Sequence, residues 1–453
     1  MGACFFIRMV SKGILMRLPR NEGLEDSVVE MLGPHWRIHV GLVFLALCIL
    51  WGCSSDKSAP KYVETEKAES QIEIGYLSPQ SIGAEFTGRP WITDLSLADV
   101  DGDGSIDVLF CDGRMGRVLL ALQKKGEFEE VVISDSIQGA AHVDVADMDN
   151  DGDLDVLVAS LGAVLPNNHR IGAVAILVQT KELVFEKRVV VEGVERVADV
   201  RAGDLDGDGD LDLSVAKFGY DQGEISWMEN LGSWRFENQP LLSLPGGINC
   251  PIADFNNDGR LDIAAIVSQE WEEVYVFSNQ GEGKFEKSLV YGSANEDYGS
   301  SGLSVVDLDE DGLMDLLYTN GDAFDYARPG PRPWHGVQWL RNTGDGRFIF
   351  KRLGDFPGAY SPKAVDLDGD GDLDILATSG FNRWEKADSV SLICFENTGD
   401  GVFEPRPLAN EPTHLIDVEA ADLDGDGEIE LVTASFHAYP PYDRIARLTL
   451  WDR

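Results

Sequence analysis

The sequence predicts an all-β protein, a seven-bladed β-propeller of four-stranded blades, and three observations lead there. An acidic nonapeptide recurs seven times, beginning at Asp99, Asp147, Asp204, Asp254, Asp307, Asp366 and Asp422, at intervals of 48 to 59 residues. Its fullest form, DLDGDGDLD, stands twice, at Asp204 and at Asp366. A second repeat lies between these stretches, with Asn230, Asn279, Asn342 and Asn397 each six residues before a Phe and followed by glycine. Asn and Gly so placed mark a tight hairpin turn. The remaining residues of each unit fall into four short apolar or alternating runs bounded by Gly and Asp, which read as strands. Units of this length, each of four strands and repeated seven times, are a propeller's signature.

Taken in chain order, residues 1–53 read as an N-terminal extension and export signal. Arg8, Lys12, Arg17, Arg20 and Arg37 precede the apolar VGLVFLALCILW of Val40–Trp51. Those twelve residues are too few to cross a bilayer, which takes roughly 20, and they suit a signal h-region. The stretch ends in LWGC, which resembles a bacterial lipoprotein signal, in which the cysteine (here Cys53) is lipidated and becomes the mature N-terminus. A start at Met31 gives a signal of ordinary length. The resemblance implies a lipid anchor at the bacterial cell envelope, on the outer membrane, facing the periplasm or the surface. Residues 54–70 form a polar linker, and residues 71–453 the propeller.

Blade two shows the order within a unit. HVDVAD runs into the acidic loop, LDVLVAS leaves it, GAVAILVQ follows, and FEKRVVV completes the set. In the first two units the Asn-Gly turn is degenerate, but Phe128 and Phe185 keep its place. The last unit stops at ARLTLWDR, a third strand with no fourth, while QIEIGYLS (Gln71–Ser78) is a spare strand ahead of the first loop. This segment is therefore expected to complete blade seven, closing the ring so that no long edge is left exposed.

Composition sets limits on partners. Hydrophobic residues make up 43% of the chain, ample for a core, and the formal net charge is −42. Such a surface argues against nucleic acid, whose phosphates need basic partners. It also disfavours direct docking on anionic lipid, leaving the lipid anchor as the only membrane contact, and the chain is expected to be a monomer. Cys4, Cys48 and Cys53 fall in the signal region. Cys111, Cys250 and Cys394 have no metal-site spacing and read as small buried hydrophobes, not a disulfide framework.

The nonapeptide has the pattern of an oxygen cage. Positions one, three, five and nine carry side-chain oxygens: Asp99, Asp101, Asp103 and Asp107 in the first loop, then Asp147, Asp149, Asp151 and Asp155, and Asp204, Asp206, Asp208 and Asp212. The fourth loop has Asp254, Asn256, Asp258 and Asp262, and the fifth Asp307, Asp309, Asp311 and Asp315. The last two have Asp366, Asp368, Asp370 and Asp374, and Asp422, Asp424, Asp426 and Glu430. Position six is always Gly, which permits a sharp turn, and position seven tolerates Arg260 and Leu313, so it can offer only its carbonyl. Five or more protein oxygens suit Ca2+ better than Mg2+, which gives up water reluctantly, and transition metals would want His or Cys. An EF-hand is excluded because its bidentate Glu at position twelve is replaced by Phe110, Val158, Val215, Ala265, Tyr318, Ala377 and Thr433. Up to seven structural calcium ions are therefore expected, with the weakest site at Asn256.

On these loops and turns the chain resembles the FG-GAP/VCBS repeat family, whose best-known members form the integrin α-subunit propeller. The resemblance implies that the acidic loops join the first and second strands of each blade on one face of the disc. It also implies that the opposite face is built from the loops between second and third strands and from the inter-blade connections, and a ligand is expected there. There the sequence carries aromatic-rich insertions, with Tyr220 in blade three, Tyr326, Trp334 and His335 in blade five, Arg383 and Trp384 in blade six, and His437 and Tyr439 in blade seven. Aromatic planes beside Arg and Asn suit a glycan or a protein hot spot. The reading favoured is a non-enzymatic calcium-binding propeller at the cell surface or in the periplasm, with a protein or glycan ligand. A polysaccharide lyase or hydrolase on the same scaffold, and a purely structural surface scaffold, are the alternatives. Enzymatic activity is left open: His142, His414 and Asp417 offer no catalytic arrangement that spacing can specify, and no catalytic residue is assigned.

Overall fold

A computed structural model describes residues 77–452 except 270, 271, 325, 327 and 400. The export signal, Cys53 and the polar linker lie outside the described residues, as do residues 71–76. Every regular element among the described residues is a β-strand, and the strands form seven antiparallel sheets. Blade two is typical: Ala140–Ala146, Asp155–Ser160, Gly172–Lys181 and Val184–Val194 pair in that order from the axis outward. No helix of the described residues is long and apolar enough to cross a membrane.

Burial explains the run-or-alternate pattern of the sequence. The second strand of blades one, two, four, five, six and seven is buried at every residue, as in Asp107–Asp112 and Asp374–Ser379. A strand covered on both faces needs a continuous apolar run. The outer strands, such as Phe285–Gly292, are half exposed and alternate. Seven apolar clusters fill the spaces between adjacent blades; one holds Leu109, Val118, Leu120, Val156 and Val158 from blades one and two. Cys111, Cys250 and Cys394 are buried and free, as their spacing suggests.

Blade seven closes as expected in principle but not in register. Its outer strand is Ser78–Ile82, antiparallel to Leu448–Asp452 with Ser78 opposite Asp452. Of the segment expected to do this, Gln71–Ser78, residues 71–76 lie outside the described residues, and the strand that pairs is exposed at four of its five residues and buries only Ile82. An outer strand on a propeller rim has little core to face, so alternation is a poor guide to its position. Ile82 then packs with Ile92, Phe110, Val432 and Leu448, an apolar cluster made jointly by blades seven and one.

Blade four departs from the pattern at its first strand, which splits into Gly247–Asn249 and Ile252–Ala253. Pro251 lies between them and has no N–H to give the ladder. Its carbonyl still accepts from Ala264 N–H at 2.9 Å, so the sheet continues past the break.

Candidate functional site: acidic loops, an aromatic cavity and an axial channel

All seven acidic loops fold alike. The sixth-position glycines, from Gly104 to Gly427, have φ between 83° and 99°, a region where a side chain would be strained. The first Asp turns back to accept the N–H of that glycine, as from Gly104 to Asp99 at 2.9 Å and from Gly371 to Asp366 at 3.1 Å. The ninth residue points inward. In blades one to six its two carboxyl oxygens accept one N–H from loop position two and one from the end of the third strand. Asp212 takes Leu205 N–H at 3.0 Å and Asn230 N–H at 2.7 Å, and Asp374 takes Leu367 at 3.1 Å and Asn397 at 2.8 Å. Burial, reinforced by neighbouring loop acids, pushes Asp107, Asp155, Asp212, Asp262, Asp315 and Asp374 up to about 6. In blade seven Glu430 accepts from Leu423 N–H at 2.7 Å.

The outer acids cluster as a hard cation would require. One carboxylate oxygen from each of Asp99, Asp101 and Asp107 lies within 4.8 Å of the others, and the same holds for Asp147, Asp149 and Asp155 and for Asp204, Asp206 and Asp212. Asp307, Asp309 and Asp311, and Asp366, Asp368 and Asp370, cluster in the same way. These donors are all oxygen, which suits calcium by chemistry. Two loops carry a positive group of their own. Arg341, from the third strand of blade five, donates to Asp309 at 2.5 Å and to Asp311 at 3.1 Å. In loop four Arg260 reaches Asp258, and its Nε donates to the Asn279 carbonyl at 2.8 Å.

The aromatic insertions converge only in part. Trp384, Asn382 and Glu385 of blade six meet His414, Tyr439, Pro440 and Pro441 of blade seven, with Pro329 of blade five, around a cavity of about 250 Å3. Trp384 is buried, yet its indole N–H has no hydrogen-bond partner among the described residues. Arg383 is exposed beside it. His437 lies fully buried behind the cavity, its ring 5.2 Å from that of His414, and burial drives His437 down to about 4 and His414 to about 3. The blade-five residues go elsewhere. Tyr326 stacks under Arg332 at 3.8 Å, and Trp334 donates to the Asp297 carbonyl at 2.7 Å while packing on a core cluster. His335 is buried and accepts Gly358 N–H at 3.1 Å through Nδ1. Tyr220 stands apart on the axis, edge-on to Phe218 at 5.1 Å.

A larger cavity, about 470 Å3, runs along that axis and is lined by the first strands of all seven blades. It reaches the face opposite the acidic loops, where Val164, Tyr220, Phe324 and Phe436 stand at its mouth. Deeper in, Asp94, His142, Arg201, Lys363, Asp417 and Glu419 replace the apolar residues.

A family model described as FG-GAP-like repeat matches residues 83–158, 204–265, 254–318 and 326–377. The chain belongs to the FG-GAP-like repeat family. No curated protein sequence matches this FG-GAP chain. Among solved structures it resembles BBS1N in complex with ARL6DN, at 9% identity and a TM-score of 0.50 over 83% of this chain and 97% of that one. The rhamnogalacturonan lyase YesW is similar at 16% identity and a TM-score of 0.43, over 83% and 75% of the two chains. The V. cholerae biofilm matrix protein Bap1 is similar at 10% identity and 0.42, over 83% and 91%. At 9% identity the likeness to BBS1N speaks for the fold alone.

The part that two sets of residues play in joining the FG-GAP blades escaped the sequence reading. Side chains on the innermost strands staple one blade to the next: Asp417 accepts Leu95 N–H at 2.9 Å, Asp94 accepts Val143 N–H at 2.8 Å, and Asp199 accepts Cys250 N–H at 2.8 Å. All three stand five residues before their acidic loop, an offset that could have revealed them. The turn Asn is the second set. Asn279 and Asn342 donate to the loop carbonyls of Leu205 and Phe255 in the preceding blade, each at 2.7 Å. Where that turn is degenerate Gln does the same work, with Gln123 reaching Leu423 of blade seven at 2.9 Å and Gln179 reaching Val100 at 3.2 Å.

Proposed function

We propose that this FG-GAP propeller is a lipid-anchored, calcium-stabilised protein of the bacterial cell envelope that binds a glycan without turning it over. The cavity between blades six and seven carries the reading. It pairs aromatic walls, Trp384 and Tyr439, with the amide of Asn382, the carboxylate of Glu385 and an indole N–H that no described residue satisfies. A buried donor left unpaired costs about 1–3 kcal/mol, and a sugar hydroxyl would relieve that cost. Size supports a small glycan over a broad protein contact, because a cavity of about 250 Å3 lies just below the roughly 300–1,000 Å3 typical of ligand pockets. Burial makes His335, His414 and His437 weak bases, which favours structural roles over that of a general base.

A glycan array in millimolar calcium, followed by titration of the best hit, tests the site. Trp384→Phe removes the N–H and keeps most of the ring, and Tyr439→Ala removes one wall. Each should weaken the hit tenfold or more, and unchanged affinity in both would sink this choice of cavity. Mass spectrometry of the mature protein tests the anchor, which predicts a diacylated or triacylated Cys53 as the first residue.

Calcium would be held at the clusters around Asp99, Asp147, Asp204 and Asp366, with its role structural. Sites of Kd ~0.1 mM in ~1 mM calcium contribute about 1.4 kcal/mol each. A few such sites are a large share of the roughly 5–15 kcal/mol by which domains are stable.

A further inference from the structure

The axial cavity has an ionic floor that the glycan reading does not use, and its charges do not balance. Its cations are already engaged. Arg201 pairs with Asp199 at 3.0 Å and with Asp144 at 3.6 Å, Lys363 pairs with Glu419, and Arg196 donates to the Val164 carbonyl at 2.8 Å. Asp94 and Asp417 remain. Among the described residues no Lys or Arg lies within ion-pair distance of either one. Each spends one oxygen on a backbone N–H of the neighbouring blade; the second oxygen of Asp417 takes the Ser361 hydroxyl at 2.5 Å and Val418 N–H at 2.9 Å, both neutral donors, while the second oxygen of Asp94 takes no hydrogen bond from a described residue. Burial first, and then the Asp417 charge, hold Asp94 well above the usual carboxylate range, so a cation placed against the pair would draw Asp94 back to the carboxylate.

His142 points independently to a missing ligand. Its imidazole is 6% exposed and lines the cavity, and no hydrogen bond reaches either ring nitrogen among the described residues. Nδ1 lies 3.2 Å from Asp199 Oδ1 but out of line for a hydrogen bond, and Nε2 lies 3.8 Å from Asp94 Oδ2. Burial, helped by the Arg201 charge, lowers the ring to about 4, so at neutral pH it is uncharged and has a lone pair to offer. Asp94 on blade one lies between His142 on blade two and Asp417 on blade seven, which places three acceptors side by side.

We propose that the axial cavity binds a small primary ammonium cation with an apolar or aromatic body. A primary ammonium has three N–H donors, one each for Asp94, Asp417 and His142, and its charge offsets the surplus carboxylate. A quaternary ammonium would leave the imidazole unpartnered. A carboxylate ligand would meet repulsion from the same two aspartates. The carbon skeleton then lies towards Phe324, Phe436 and Tyr220 at the mouth, where apolar surface leaves water. A volume of about 470 Å3 has room for a molecule with a ring or a short chain.

Calorimetric titration of the full-length protein in calcium buffer tests this with three probes of one shape: phenethylamine, 2-phenylethanol and 3-phenylpropionate. Phenethylamine should bind at least tenfold more tightly than the alcohol, and the propionate should not bind. Asp94→Asn, which keeps an acceptor for Val143 N–H, should weaken phenethylamine at least tenfold. Lys363→Gln frees the Glu419 carboxylate and should tighten phenethylamine severalfold, a gain that a folding defect cannot produce. Tyr439→Ala should leave phenethylamine binding unchanged, which separates this site from the glycan cavity. The proposal is overturned if no probe binds, if the alcohol or the acid binds as well as the amine, or if Lys363→Gln weakens the amine.

Discussion

Loops three and six share all nine residues, whereas loops four and five each meet an arginine. In blades three and six the residue before the turn Asn is Glu229 or Glu396, an acid added at the same place. In blade five that place holds Arg341, which reaches Asp309 and Asp311, and in blade four Arg260 sits within the loop against Asp258. The backbone is the same in all four. What differs is the charge set against the acids: a guanidinium on the chain in two loops, and in the other two no Lys or Arg within ion-pair distance among the described residues, where calcium from solution is the proposed source. A nonapeptide that resembles its neighbours can thus have a different dependence on calcium, and the deciding residue can stand thirty positions away in sequence.

The largest effect expected is on the whole ring. Excess EDTA should lower the melting temperature by on the order of 10 °C or more, since several sites of about 1.4 kcal/mol each are emptied together. A melting curve unmoved by EDTA would remove calcium from the account, and with it the contrast between the loops.

Next come the ninth-position acids, where the comparison should break down. Asp374→Ala in loop six and Asp315→Ala in loop five each orphan two buried backbone N–H groups, and the second also frees the buried Trp339 indole N–H. Both should cost about 2–4 kcal/mol by denaturant unfolding, and most of that should persist in EDTA. Equal costs in the two blades would mark this acid as part of the fold whatever the ion does.

A smaller effect should restore the difference. Asp370→Ala in loop six should cost about 1–2 kcal/mol in calcium and little in EDTA, while Asp311→Ala in loop five should show a much weaker calcium dependence. Calorimetry should likewise lose one calcium equivalent in the first variant only. The smallest change is a gain: Arg341→Ala should raise calcium affinity at loop five severalfold, and Arg260→Ala should do less because Asn256 still lacks a charge.

Much of the fold was legible in sequence because its signals are local. The spacing of Asp99 to Asp422 counts blades, and the continuous apolar run after each loop, such as Val156–Ser160, marks a strand covered on both faces. Glycine at position six is needed by a φ that other residues resist. The outer closing strand was legible only in kind, since a rim strand exposed at four of five residues leaves no apolar pattern to locate it.

The candidate sites divide along the same line. Trp384 and Tyr439 come together as their insertions suggested, but Trp334 and His335 turn into blade five, because an insertion's composition does not say which side chains its own blade will absorb. The pattern of the chain alone determined that there are seven blades, that each carries an acidic loop turning on a glycine, and that the insertions that differ between repeats lie after the second strand. Tertiary structure alone decided that Arg341 meets Asp309, that Gln123 ties blade one to blade seven, and that Asp94, His142 and Asp417 share one cavity. These residues belong to separate strands and often to separate blades. Their meeting depends on strand register and on closure of the ring, which no local stretch of sequence records.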